Sequence, residues 1–230
     1  MNTIKQHGPK PVGSNLNERP GVEIETFGTT PEEQGLAAEK GTIVVSIGIL
    51  AYNEESSIAG TIESILEQSI VMNPPEGWQV EIVCVPNGCT DRTAEVAGES
   101  LAALGRHGRA SHVATKVVPL ATPSKENAWN RFVHDLSARD ATHLVFIDGD
   151  VRLLHPDTLG NLVTALCANP RAHVAAAETV KHISRQASKG IFERISMMAT
   201  GLRRSSNQQR GVTGFAGCLY ATPAASSRRF

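Results

Sequence analysis

The chain has 230 residues, of which 40% are hydrophobic and 20% are charged, and its formal net charge is -1. This balance argues against a generally basic nucleic-acid-binding protein and against an acidic disordered chain, so no nucleic-acid partner is expected. The average conceals a division of charge along the chain. Residues 1–180 carry 13 basic and 22 acidic side chains, whereas residues 181–230 carry nine basic side chains and one acidic one.

Residues 1–40 are rich in Gly, Pro, Asn, Glu and Thr and show no persistent hydrophobic period, which predicts a disordered N-terminal tail. They contain no apolar segment typical of a signal peptide. No part of the chain reaches the roughly 18 consecutive apolar residues of a membrane span. The four cysteines form no CxxC pair, so neither a disulfide framework nor a zinc site is indicated, and a cytoplasmic location is expected.

From Thr42 onward, predicted strands and helices alternate. The strands cover residues 42–50, 80–85, 113–120, 142–147 and 173–177, and the helices cover about 54–70, 91–105, a segment opening at Ser124 and a segment opening at Pro156. Asn53 or Ser56 is the expected N-cap of the first helix. This order predicts an α/β fold with a mainly parallel, doubly wound sheet and helices on both faces. In such sheets ligands bind beyond the carboxyl ends of the strands.

Polar residues follow each of the first four predicted strands. Asp148-Gly149-Asp150, after the fourth strand, places two carboxylates two residues apart, and such a pair can hold a hard divalent cation that bridges to phosphate oxygens. A solvated turn is the alternative, because Asp and Gly are ordinary turn residues. The nucleotide motifs GxxxxGK[ST] and GxGxxG are absent from the strand-to-helix turns. Tyr52, Asn53 and Glu54 in the first turn could instead contact a base or ribose, or Tyr52 could pack and Asn53 could cap.

Four segments, VSIGILAYNEESSIAGTIESIL, VPNGCTDRTAEVA, SKENAWNRF and FIDGD, together resemble the family-two glycosyltransferases of GT-A fold over roughly residues 42–222. The resemblance implies transfer of a sugar from a nucleotide-diphosphate donor to an acceptor hydroxyl, with Mg²⁺ or Mn²⁺ as cofactor. It also implies site residues. The donor-binding positions would be Tyr52, Asn53, Glu54, Asn87, Lys125, Asn127 and Asp148, and the metal ligands would be Asp148 and Asp150.

The sequence departs from the family pattern at two places. Pro86-Asn87 stands where an Asp-Asp pair is frequent, so one base-contacting carboxylate becomes an amide. In the family a general base usually follows a Gly-rich segment similar to residues 214–223, but no Asp or Glu occurs between Arg194 and Phe230. Glu178 precedes that segment and is not assigned as the base. The catalytic residue is therefore unknown and is expected beyond Phe230, which leaves a truncated or degenerate nucleotide-sugar-binding domain without transferase activity as the alternative.

The expected organisation is a tail over residues 1–40, a donor-binding half over 41–150 and the start of a basic, incomplete acceptor half over 151–230. The acceptor would be a saccharide or a lipid-linked molecule, in polysaccharide or glycoconjugate synthesis. Residues 181–230 combine apolar and basic side chains, so one hypothesis is peripheral contact with the anionic inner face of the membrane. The other is an ordinary helix packed on the sheet.

Overall fold

The computed structural model of the chain describes residues 22–25, 42–106, 113–178 and 217–229. Seven strands are present in this part: β1 Val22–Glu25, β2 Ile43–Ala51, β3 Trp78–Pro86, β4 Ala114–Val117, β5 His143–Asp148, β6 Val174–Ala177 and β7 Leu219–Pro223. The helices are α1 Ile58–Leu66, α2 Ser69–Met72, α3 Thr93–Arg106, α4 Lys125–Arg131, which continues as a π-helical turn over Phe132–Leu136, α5 Thr158–Ala168 and α6 Ala224–Ser227.

The strands form one sheet in the order β1-β6-β7-β5-β2-β3-β4. Strands β4, β3, β2 and β5 are parallel, and β7 is inserted antiparallel between β5 and β6. Because β6 is antiparallel to β7, it runs in the same direction as β5, whereas β1 pairs antiparallel with β6 at the edge. Five of the seven strands therefore share one direction, and the predicted mainly parallel α/β sheet is confirmed.

Helices cover both faces of this sheet. Apolar side chains of α1, α2, α3 and α5 pack on one face, against β2 residues such as Ile47 and Ile49. The other face packs against α4 and its π-helical turn, where Phe132 is fully buried. Gly48 of β2 faces that turn, and a Cβ atom at this position would lie 2.6 Å from the Phe132 ring. The absence of a side chain at Gly48 thus lets the aromatic ring approach the sheet.

Strand β1 was not expected, because residues 22–25 lie within the predicted disordered tail. Its four residues pair with β6 from Val22 opposite Ala177 to Glu25 opposite Val174. For these residues the prediction is wrong, since pairing with an existing sheet edge supplies hydrogen bonds that composition alone does not reveal. The rest of residues 1–40 lies outside the described residues.

The predicted helix over residues 54–70 is two helices, separated at Gln68. The backbone of Gln68 is extended, with ψ of 139°. Its buried side-chain amide donates to the carbonyl of His155 at 2.9 Å and accepts from the backbone N–H of Leu159 at 3.1 Å. These bonds tie the chain to the start of α5 and compensate for the interrupted helix.

The expected N-cap of the first helix is also corrected. Ser57 occupies the N-cap position without a side-chain hydrogen bond. Asn53 lies in the left-handed region with φ of 53° and bonds to another loop instead. Residues 181–216, which include most of the predicted basic segment, lie outside the described part of the chain. Among the helices that are described, none has the length and apolar character needed to cross a bilayer.

Candidate active site

The carboxyl ends of β2, β3 and β5 open into a cavity of about 510 Å³. These strands are adjacent and parallel, so the loops that follow them meet at one edge of the sheet, with the loop before α4 closing the side. The cavity is lined by Leu50, Tyr52, Glu54, Asn87, Pro123, Ser124, Lys125, Asp148, Gly149 and Asp150. We call this cavity the cleft.

The loop Asp148-Gly149-Asp150 forms the acidic part of the cleft and is held by its backbone. The N–H of Asp148 donates to the Cys218 carbonyl at 3.0 Å, and the N–H of Gly149 donates to the Leu50 carbonyl at 2.9 Å. The buried hydroxyl of Thr61 donates to the Gly149 carbonyl at 2.8 Å. Both carboxylates therefore project from a loop whose backbone is tied to β2, α1 and the residue before β7.

Gly149 is required by close packing. A Cβ atom at this position would lie 2.8 Å from the Cβ of Ala51 and 3.2 Å from the Cγ of Glu54. Any larger residue would push the loop away from β2. The close approach of the loop to the end of β2 thus explains the glycine between the two aspartates. The general frequency of glycine in turns is not needed to explain it.

Lys125 lies across the cleft from this loop and forms an ion pair with Asp148. Its Nζ is 2.7 Å from Oδ1 and 2.9 Å from Oδ2 of Asp148. Lys125 is the first residue of α4, and Ser124 caps that helix by accepting a hydrogen bond from the Asn127 N–H at 3.0 Å. The cap fixes the backbone at Lys125, while the lysine side chain itself remains 65% exposed.

The loop after β2 is bonded to the loop after β3. The side-chain oxygen of Asn53 accepts from the Thr90 N–H at 2.8 Å, and the Glu54 N–H donates to the Thr93 hydroxyl at 2.8 Å. The Glu55 N–H donates to a carboxylate oxygen of Asp91 at 3.0 Å. Three successive residues, of which Asn53 is the first, therefore hold the two loops together by hydrogen bonds.

Asp91 organises the start of α3. One of its carboxylate oxygens accepts from the Thr93 hydroxyl at 2.5 Å and from the Thr93 N–H at 3.0 Å. The hydrogen bond from the Thr93 hydroxyl is the main reason that the pKa of Asp91 lies below its ordinary value. The carboxylate is thus kept charged at the helix N-terminus, where a negative charge is favourable.

Asn87 is buried at the base of the cleft. Its Nδ2 donates to the Ala51 carbonyl at 2.7 Å, and its backbone N–H donates to the same carbonyl at 2.9 Å. This bond engages one of the two hydrogens on the amide nitrogen, so Asn87 can offer a ligand its acceptor oxygen and the second N–H. Nearby, Tyr52 is 52% exposed, and Glu54 accepts a hydrogen bond from the Ser57 hydroxyl at 2.5 Å.

Of the site residues predicted from the sequence, six line the cleft together: Tyr52, Glu54, Asn87, Lys125, Asp148 and Asp150. Asn53 and Asn127 do not line it. Asn53 joins the two loops, and Asn127 is exposed on α4, where its backbone N–H bonds to the cap.

Cys218 is a neighbour of the acidic loop that no sequence motif indicated. Burial raises the pKa of its thiol, and the negative charges of Asp148 and Asp150 raise it further. Cys218 immediately precedes β7. Because β7 pairs with β5, the Cys218 carbonyl lies next to Asp148 and accepts a hydrogen bond from its N–H. Only the long-range pairing of β7 reveals this position.

The donor set of the acidic loop fits a hard divalent cation such as Mg²⁺ or Mn²⁺. Asp148 and Asp150 supply carboxylate oxygens, the ligands that these ions prefer, and Asp148 is 27% exposed at the cleft floor. Within the described residues, no group of three or more His, Cys, Asp or Glu side chains could hold a metal. Asp148 and Asp150 could hold such a cation together with oxygens of a bound ligand.

The chain belongs to glycosyl transferase family 2, since the family model matches residues 46–219, more than half of its length. The GT-A-like fold implied by the sequence resemblance is thereby confirmed together with the family. No curated protein sequence matches the chain.

Solved structures similar to this chain include mannosyltransferase PcManGT from Pyrobaculum calidifontis in complex with GDP-Man and Mn²⁺. That match has a TM-score of 0.48 and 21% identity, and covers 78% of this chain and 44% of that chain. Glucosyl-3-phosphoglycerate synthase from Mycobacterium tuberculosis in complex with Mg²⁺ and UDP matches with a TM-score of 0.45 and 22% identity, over 80% of this chain and 57% of that chain. The chain thus spans about half the length of these structures.

Proposed function

We propose that this protein is a glycosyltransferase that moves a sugar from a nucleotide-diphosphate sugar to an acceptor hydroxyl with the help of a divalent cation. The observation that carries the proposal is the composition of the cleft. Two carboxylates line the cleft at the carboxyl ends of parallel strands: Asp148, which pairs with Lys125, and Asp150. The buried amide of Asn87 lines the same cleft. A nucleoside diphosphate with its cation presents the complementary charges.

In this proposal five of the residues that line the cleft have assigned tasks. Asp148 and Asp150 would hold the cation, which when bound offsets the charge that develops on the leaving diphosphate. Lys125 would pair with phosphate oxygens, since an ammonium group binds phosphate as a point charge. The oxygen of Asn87 would accept a hydrogen bond from an N–H on the edge of the base. The exposed ring of Tyr52 would provide a flat surface for the base or ribose.

A second candidate function is a nucleotide-sugar-binding domain without transfer. It is favoured by one observation of the cleft: of the carboxylates that line it, Glu54 accepts a hydrogen bond from the Ser57 hydroxyl, and Asp148 and Asp150 are assigned to the cation, so none of these three is left to act as a base. Inverting transfer requires a carboxylate or similar base to take the acceptor proton. Incubation with a panel of nucleotide sugars separates the two functions, because donor binding without release or transfer of the sugar would favour the binding domain.

The finer parts of the proposal concern the acceptor and the location. The acceptor would be a saccharide or lipid-linked molecule used in polysaccharide or glycoconjugate synthesis, and the protein would act in the cytoplasm, with residues 181–230 contacting anionic lipid. Co-sedimentation with vesicles that contain anionic phospholipid tests the last point. Binding that does not weaken as salt is raised, or no binding, would contradict an electrostatic contact.

Calorimetric titration tests the donor site. We expect UDP or GDP to bind the wild-type chain in the presence of Mn²⁺, and Asp150→Ala to weaken this binding at least tenfold, about 1.4 kcal/mol. Asp140→Ala, an exposed aspartate just before β5 and outside the cleft, should bind as the wild type does. Binding that needs no Mn²⁺ and survives Asp150→Ala, or no binding of either nucleotide, would overturn the proposed function.

A further inference from the structure

The ion pair between Lys125 and Asp148 occupies the carboxylate that the proposed function assigns to the cation. The lysine Nζ lies within hydrogen-bonding distance of both oxygens of Asp148, at 2.7 and 2.9 Å. A divalent cation at Asp148 needs one or both of the same oxygens. The ammonium group and the cation therefore compete for one carboxylate.

The ion pair can open without a change in the fold. Lys125 is 65% exposed, so its side chain can swing away while the helix cap at Ser124 keeps the backbone of α4 in place. Asp148 is fixed by contrast, because its backbone N–H is bonded to Cys218 and its side chain is only 27% exposed. Opening the pair therefore moves the lysine side chain and leaves the acidic loop where it is.

Opening the pair is unfavourable unless both charges find new partners. A cation bound alone would neutralise Asp148 but leave Lys125 unpaired beside a second positive charge. A diphosphate bound alone would neutralise Lys125 but leave Asp148 unpaired beside a second negative charge. When both bind, each charge of the broken pair receives a replacement of the correct sign.

We propose that the Lys125–Asp148 ion pair makes the cleft select the divalent cation and the diphosphate together over either one alone. This inference rests on the proposed function, because it assumes that both ligands bind at this cleft. Lys125 then has two roles, as the internal cation of the free site and as the phosphate partner of the occupied site. By linkage, each ligand increases the affinity for the other by the same factor.

The variant Lys125→Met removes the charge and keeps much of the length of the side chain. It should have opposite effects on the two ligands measured separately. We expect Mn²⁺ alone, followed by the electron paramagnetic resonance signal of the free ion, to bind about fivefold more tightly, the factor that corresponds to an ion pair of about this exposure. UDP and GDP titrated in the presence of a chelator should bind about fivefold more weakly. The gain in nucleotide affinity on adding Mn²⁺ should become smaller in this variant, because there is no longer an ion pair for the two ligands to open together.

Lys116→Met is the matched control. Lys116 is a lysine on β4 that pairs with a partly buried carboxylate, Glu81, at 3.5 Å, and it lies outside the cleft. This variant should bind Mn²⁺ and the nucleotides as the wild type does. Lys125→Arg, which keeps the positive charge, should retain most of the wild-type preference for the two ligands together.

The outcomes separate the inference from the proposed function. Opposite shifts in Lys125→Met, with no shift in Lys116→Met, support the inference, because a general loss of structure would weaken both ligands. If the wild type binds nucleotide with Mn²⁺ but Lys125→Met leaves the affinity for Mn²⁺ alone unchanged or lower, the inference is overturned and the proposed function stands. If the wild type binds neither nucleotide even with Mn²⁺, both are overturned.

Discussion

At the scale of single residues, the cleft depends on positions where a side chain would not fit. Gly149 lies against Ala51, and Gly88 has φ of 66° with its Cα beside Pro123, so that a Cβ there would lie 2.3 Å from the proline nitrogen. Both glycines let a loop approach another loop at the carboxyl edge of the sheet. The positions of the carboxylates and of Lys125 therefore depend on neighbours that carry no functional group.

Gly149→Ala tests this dependence. The added methyl group would contact Ala51 and Glu54 at distances that require the acidic loop to shift, so we expect a loss of about 1–3 kcal/mol in the free energy of unfolding and weaker binding of nucleotide with Mn²⁺. Denaturant unfolding and calorimetry measure the two effects.

Gly98→Ala is the matched control for that variant. Gly98 lies within α3 and a Cβ there has no neighbour within 4 Å, so the substitution should stabilise the protein by up to about 1 kcal/mol. If Gly149→Ala proves as harmless as Gly98→Ala, the close packing of the acidic loop does not restrict its position.

At the scale of elements, the residue that follows α6 binds the backbone just after the π-helical turn. Arg228, just after α6, donates to the carbonyls of Ala138 at 2.6 Å and Arg139 at 2.8 Å, and to the Ser137 hydroxyl at 3.0 Å. Glu81 accepts from the Ala138 N–H in the same region. A cation at the C-terminal end of a helix is favourable, because the helix presents unpaired carbonyls there.

Arg228→Ala should therefore lower the free energy of unfolding by about 1–3 kcal/mol, because it leaves these acceptors without their charged donor. Thermal or denaturant unfolding measures the change. Arg229→Ala, which removes an exposed neighbouring arginine, should change stability by less than about 0.5 kcal/mol. Equal effects of the two substitutions would show that the hydrogen bonds of Arg228 contribute little.

The elements also show how far sequence reasoning extends. Strands β2, β3 and β5 were predicted within about two residues, because fully buried parallel strands are continuous apolar runs. Six cleft residues followed from the rule that ligands bind at the carboxyl ends of such strands together with the family resemblance, which selected them among the polar residues there. The division of the first helix was not predictable, since it depends on bonds from Gln68 to a segment 87 or more residues away.

Strand β7 and the hydrogen bond from Thr90 to Asn53 were not predicted, for a similar reason. Leu219–Pro223 has a weak strand pattern and forms a strand because it is paired on both sides, with β5 and β6. Asn53 was expected either to bind the donor or to cap α1, yet its oxygen bonds to Thr90. Local patterns indicate which residues are available for an interaction, and long-range contacts decide which partner each one has.

At the scale of the whole molecule, half-buried His143 links stability to pH. Burial lowers the pKa of His143 from its ordinary value of 6.5. Above that value the His143 side chain is neutral in both the folded and the unfolded chain, so it adds no pH dependence to the free energy of unfolding. As the pH falls below it, the unfolded chain takes up the proton more readily, so the folded state loses stability until the lowered pKa is passed.

His143→Asn should therefore make the free energy of unfolding depend less steeply on pH between pH 7 and 5 than it does in the wild type. Denaturant unfolding at a series of pH values measures both slopes. Because the other histidines are common to both proteins, the difference between the slopes isolates His143. Equal slopes of the free energy of unfolding against pH in the two proteins would contradict a contribution from His143.

The insertion of β7 between β5 and β6 has a consequence for synthesis on the ribosome. Strands β2 to β5 can assemble as soon as residue 148 has emerged, because they pair with one another in the order β5-β2-β3-β4 and only the outer edge of β5 still lacks its partner. Strand β6 must wait for residues 219–223 before it can join them, since β7 lies between it and β5. The backbone partner of Asp148 at Cys218 arrives at the same late stage. The acidic loop is therefore completed only after residues 219–223 have been made, later than most of the cleft that surrounds it.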